Sequence, residues 1–101
     1  MTLSSKERAE LRGHAHHLPV MVHIGHDGIT DALRQTHNDA LRTGELVKVQ
    51  FSRNADVKAK DAANDLAREV DADVVQTIGR TATFFRDNPE IKKKAYLRPS
   101  E

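Results

Sequence analysis

Polar and apolar positions alternate with two different periods along this chain, and the period changes several times. Ser4 followed by Glu7 has the spacing of a capping box, so a first helix is expected from about Ser5 to Arg12, fraying towards His16, with Gly13 as its stop. Its solvent side would carry Lys6, Arg8 and Arg12, leaving Ala9 and Leu11 for packing. After Pro19 the run Val20-Met21-Val22-His23-Ile24 alternates at period two, as a strand does. Gly25-His26-Asp27-Gly28 breaks it, and Thr30 can cap a second helix that runs to about Thr43, with Gly44 as its stop. The inward stripe of that helix is Ile29, Leu33, His37, Ala40 and Leu41, interrupted by its histidine.

Leu46 to Phe51 reads as a second strand, with Val47, Val49 and Phe51 on one face and Lys48 and Gln50 on the other. A third helix is expected over about Ala55 to Asp71, where Ala59, Ala62, Ala63, Leu66, Ala67 and Val70 recur at spacings of three and four. Asp73 to Ile78 forms a third strand, Gly79-Arg80-Thr81 turns it, and Ala82 to Arg86 returns as a fourth. Asn88-Pro89 closes a domain over residues 1–88 and leaves a basic tail over 89–101. Strands separated by helices imply parallel neighbours with right-handed crossovers, and the last turn implies an antiparallel hairpin. The expected architecture is a two-layer α/β sandwich in the order α-β-α-β-α-β-β, with a mixed four-stranded sheet. Lys48 and Gln50 on alternate positions indicate that one sheet face is only partly covered.

Composition narrows the possibilities. With 101 residues, one Tyr, three Phe and no Trp, the core is expected to be aliphatic and rich in alanine. No Cys is present, which removes disulfides, thiolate metal sites and cysteine nucleophiles. Residues 1–7 read as a helix start rather than a signal segment, and no apolar run is long enough to span a bilayer. A cytoplasmic protein without a membrane partner is expected. The net charge is only +1, but it is polarised. Residues 78–98 carry six basic side chains against Asp87 and Glu90, whereas residues 54–73 carry three against six acidic ones. One basic and one acidic face suit a nucleic-acid binder.

Three segments can contact a nucleic acid. Gly25-x-x-Gly28, between a strand and a helix, suits close approach of a phosphate backbone at a helix N-terminus, a clamp that KH domains use. Glycines at such a junction also serve turn geometry alone. Arg80 and Thr81 at the hairpin, with Arg86 at the end of the last strand, offer a guanidinium fork and a hydroxyl, or simply a solvated turn. Lys92, Lys93, Lys94 and Arg98 form a basic tail in which Tyr96 can stack on an unpaired base. Histidines at 14, 16, 17, 23 and 26 raise a metal site, but no cysteine or acidic residue accompanies the first three. No nucleophile with a base and no paired carboxylates in an apolar setting appear, so neither an enzyme nor a cofactor is expected.

Taken in order, these pieces resemble a known family. Leu3-Ser4-x-Lys6, Leu11-Arg12, Ala15-His16-x-Leu18 and Pro19-Val20-x-Val22-x-Ile24-Gly25-x-x-Gly28-Ile29-Thr30 look like the opening of the CRM domain, named for chloroplast RNA splicing and ribosome maturation. Glu45 to Val49 is similar to its second strand, and Gly79-Arg80-Thr81 with Phe85-Arg86 to its closing hairpin, so the match spans about residues 3–87. His26-Asp27 and His37 depart from the small or aliphatic residues usual at those places. The resemblance implies a fold akin to the C-terminal domain of translation initiation factor three. It also implies an RNA binder of the small bacterial YhbY-like kind, associated with precursors of the large ribosomal subunit; a monomer is expected. The RNA-facing residues it implies are Gly25, His26, Asp27 and Gly28, with Lys6, Arg8 and Arg12, and with Arg80 and Arg86. A module that docks on a ribosomal protein or an assembly factor through the half-open sheet face is the alternative.

Overall fold

The structure, a computed structural model, describes residues 3–53, 58–92 and 95–96. Its elements follow the expected order: α1 (Ser5–Ala15), β1 (Val22–Ile24), α2 (Asp31–Gly44), β2 (Leu46–Phe51), α3 (Ala59–Glu69), β3 (Asp73–Ile78) and β4 (Thr81–Phe85). The strands form one sheet in the order β1-β2-β4-β3. β1 runs parallel to β2, and β4 lies antiparallel to both β2 and β3. The α/β class and the mixed four-stranded sheet are those the periodicity predicts.

Val22, Ile24, Val47, Val49, Ala82 and Phe84 turn towards α2 and α3, where Leu41, Ala62, Ala63 and Leu66 complete the main core. Leu46 and Phe85, each one position out of phase with that set, point the other way and meet Leu3, Leu11 and Val75 under α1. Phe84 and Phe85 thus anchor opposite faces of the sheet. Both are fully buried, so phenylalanine rather than alanine occupies its centre. In β3 the pairing skips from Val74 to Gln76, a bulge that lets Val75 and Gln76 both face the α1 side.

Several boundaries differ from expectation, each for a local reason. α1 does not stop at Gly13 but runs on to Ala15. Leu11 and Ala15, four apart on one stripe, are both buried, and that burial outweighs a glycine penalty of about 1 kcal/mol. Ala9, expected to pack, is exposed. The chain reversal after α2 falls on Glu45 (φ 64°) rather than Gly44. Glu45 is held there on three sides. Its N–H donates to the Leu41 carbonyl (2.9 Å), its carbonyl accepts from Arg86 N–H (2.9 Å), and its carboxylate accepts from Asn88 N–H (2.7 Å). β1 is shorter than expected, although Met21 N–H still donates to the Lys48 carbonyl at 2.9 Å. The expected start of α3 near Ala55 lies outside the described residues, as do Lys93, Lys94 and Arg98 of the tail. Among the described residues, no helix is long and apolar enough to cross a membrane.

Candidate functional site

Topology gathers three loops at one end of the sheet. Because β1 and β2 are parallel and β4 returns antiparallel, the end of β1, the end of β2 and the β3–β4 hairpin all emerge there. Two backbone hydrogen bonds tie them together: Ser52 N–H donates to the Ile24 carbonyl (2.8 Å), and Phe51 N–H to the Arg80 carbonyl (2.7 Å). Gly25–Gly28, Ser52-Arg53 and Gly79-Arg80 therefore form one continuous rim.

Within that rim Gly28 closes a turn, its N–H donating to the Gly25 carbonyl at 3.0 Å, and it needs a positive φ of 68°. Gly25 has no such need: its φ is ordinary for any residue, and a Cβ there would meet nothing within 4 Å. The fold therefore has no use for a glycine at position 25. His26 and Asp27 stand exposed between the two. The following α2 N-terminus is partly satisfied by its own side chains. Thr30 Oγ1 accepts from Leu33 N–H (3.1 Å), and Asp31, in the first turn, pairs with Arg34. Across the rim, Gly79 (φ 57°) opens a two-residue hairpin turn and leaves Arg80 exposed at its tip. Arg53 and Arg80 line a cleft of about 670 Å³ together with Gln50 and Thr81. Arg53, which sequence reading missed, has no motif of its own and is brought there only by the register of β2.

The remaining basic residues are placed elsewhere. Arg8 and His16, near the two ends of α1, adjoin the start of β3 (Val74) and its end (Ile78), so α1 runs along β3 towards the rim. Lys6 and Arg12 are exposed, Lys6 on the first turn of the helix and far from the loops. Arg8 reaches the free edge of β3 and donates to the Val74 carbonyl. There it lines a separate cleft of about 640 Å³ with Lys60, Asn64, Arg68 and Asp73, and burial pushes the Asp73 carboxyl up from its usual range.

Two expected contacts are corrected. Arg86 does not face outwards: its guanidinium donates to Asn38 Oδ1 (2.7 Å), the Asn38 carbonyl (3.1 Å) and the Val70 carbonyl (2.7 Å). It is a strut between α2 and the end of α3. Tyr96 is not a free stacking platform but packs against the cluster beneath α1, its ring edge-on to His14 at 5.2 Å. His37, expected to be half-buried, is fully buried edge-on to Phe84 at 4.6 Å. Lys92 is exposed on the segment leading to Tyr96. Among the described residues, no three His, Cys, Asp or Glu side chains come together as metal ligands.

The chain is similar to proteins of known kinship over nearly its whole length. It is 32% identical over 91 residues to the "Probable RNA-binding protein YqeI" of Bacillus subtilis, covering 90% of this chain and 95% of that one. It is 38% identical over 92 residues to an RNA-binding protein of Haemophilus influenzae, covering 90% and 92%. Among solved structures, the solution structure of protein SAV1595 from Staphylococcus aureus superposes with a TM-score of 0.81 at 28% identity, covering 97% of this chain and all of the other. The family model of the CRS1/YhbY (CRM) domain matches residues 3–86, and the glycines, hairpin and helix order described above lie within that span. The chain belongs to the CRS1/YhbY (CRM) domain family.

Proposed function

We propose that this chain binds RNA without catalysing a reaction, and that its target is ribosomal RNA in precursors of the large subunit, where it assists assembly as a monomer in the cytoplasm. The observation that carries the reading is the rim itself. A glycine with no folding role at position 25 stands beside Arg53 and Arg80, on loops joined by backbone hydrogen bonds. Backbone left bare at Gly25, next to two guanidinium groups, suits a sugar–phosphate backbone better than it suits a small substrate. The relatives named as RNA-binding proteins support the same reading. Gly25, His26, Asp27 and Gly28 make the backbone approach, Arg80 and Arg53 pair with phosphates, and Thr81 adds a hydroxyl. Arg12 extends the basic line along α1, with Lys92, Lys93 and Lys94 adding charge from the tail.

Contact with four to six phosphates gives a slope of log affinity against log salt of roughly −3 to −5. A fluorescence titration with labelled RNA at low and moderate salt measures it, and a flat response rejects RNA binding through charge. Sedimentation of native lysate then tests the target. Comigration with particles slightly lighter than the mature large subunit, lost after RNase, is the expected result. Protein that stays at the top of the gradient rejects the ribosomal target while leaving RNA binding itself to the titration.

A further inference from the structure

The sheet face that α1 leaves open carries a second pattern. Register puts Met21, Lys48, Thr83 and Gln76 side by side across the four strands. The next row along the strands holds His23, Gln50, Thr81 and Ile78. All eight lie on the face opposite Val22, Ile24, Val47, Val49, Ala82 and Phe84, and neither row contains a carboxylate. Where the end of α1 overhangs this face, Ala15 and His16 close a cavity of about 210 Å³ over Lys48, Gln76, Ile78 and Thr83. It is smaller than the roughly 300 Å³ at which drug-sized ligand pockets begin, and suits a single planar ring.

We infer that this open face, with the cavity under the end of α1, reads the bases of an RNA strand whose backbone is held at the rim. The inference rests on the RNA-binding reading above and adds to it where the bases go. Gln50 and Thr81 belong both to the second row and to the cleft that holds Arg53 and Arg80, so a strand leaving the rim passes directly onto the rows. The chemistry of the face matches base edges. Gln76 and Gln50 each offer a donor and an acceptor, Thr81 offers a hydroxyl, and Lys48 supplies a positive charge, while the buried Thr83 serves only as the floor of the cavity. Ile78 gives an apolar wall for a ring, and the exposed imidazole of His23 gives a flat one. A protein partner fits the face less well. Met21 and Ile78 are the large exposed apolar side chains among the described residues, and they sit at opposite corners of the two rows, so they form no contiguous patch.

The test compares an oligoadenylate of about eight nucleotides with a fully abasic strand of equal charge, against the intact protein. Wild type is expected to bind the strand with bases at least about tenfold more tightly, because stacked and hydrogen-bonded bases add to the phosphate contacts. Gln76→Leu and Ile78→Ala are each expected to remove most of that preference while leaving the salt slope unchanged. Ile78 is 64% exposed, so its variant folds and keeps the test valid even if Gln76→Leu does not. Equal affinity for the two strands, with a salt slope present, overturns base reading at this face and leaves RNA binding intact. A preference that survives both variants overturns it too, because the bases then sit elsewhere. Absence of salt-dependent binding to either strand overturns the RNA reading and this inference together.

Discussion

His37 sits in the core with neither ring nitrogen hydrogen-bonded among the described residues. Burial pushes its pKa down to about 4 from 6.5, and the nearby Arg86 guanidinium pushes the same way. The depressed value fixes the sign of the pH response. Between pH 6.5 and 4 the unfolded chain takes up a proton that the folded chain refuses, so stability falls as the solution is acidified. Over the whole window the loss attributable to this one side chain is roughly 3 kcal/mol. Urea unfolding at pH 7.5 and 4.5 should therefore show a marked drop for wild type and a clearly smaller one for His37→Leu, which fills the same space without titrating. Equal drops would place the acid sensitivity elsewhere. The two loop glycines make a second contrast at this scale. Gly28→Ala must place a Cβ at φ 68° and should lose about 1 kcal/mol of stability, whereas Gly25→Ala should leave unfolding unchanged and weaken only RNA binding. A sequence shows two identical glycines here. What separates them is backbone conformation, which no spacing rule reports.

Among the elements, β2 and β3 have the bounds that the sequence predicts, β2 through its clean alternation and β3 in spite of the bulge at Val75 that interrupts its own. α1 was harder to read. Its buried residues, Leu11 and Ala15, are sparse, and the face they cover is shared with Leu3, with Phe85 and with Tyr96 from the far end of the chain. No local pattern announces a partner that distant. Arg86 misled for a related reason: a basic residue after a strand looks like surface charge until Asn38 and Val70 are seen to surround it. Its three hydrogen bonds span α2 and the C-cap of α3, and two end on backbone carbonyls. Arg86→Ala should cost roughly 2–3 kcal/mol in chemical denaturation, since it strands half-buried acceptors. Arg86→Lys should recover only part of that, because an ammonium cannot reproduce the planar fork. Neither variant should change the salt slope of RNA binding under conditions where it remains folded, and a changed slope would return Arg86 to the phosphate-facing set.

For the molecule as a whole, sequence shows the charge but not its placement. The strand order β1-β2-β4-β3 inserts the last strand between β2 and β3, and that insertion alone sets Arg80 beside Arg53 and both near Gly25. The acidic side chains of α3 that are exposed, Asp61, Asp65 and Glu69, belong to a helix on the other face of the sheet. The molecule measures 39 × 24 × 22 Å, while charges in physiological salt are screened over about 8 Å. Net charge is therefore irrelevant to a bound strand, and only side chains at the contact count. Each phosphate partner removed should flatten the salt slope by about one. Arg53→Gln and Arg80→Gln are expected to do so singly and to add in the double variant. Lys60→Gln, in the cleft at the β3 edge with Arg8, changes the net charge by the same amount and is expected to leave the slope alone. If Lys60→Gln flattened the slope as much as the other two, the strand would have to run along the β3 edge past Arg8 instead of across the rim. The loops would then be shaped for folding alone.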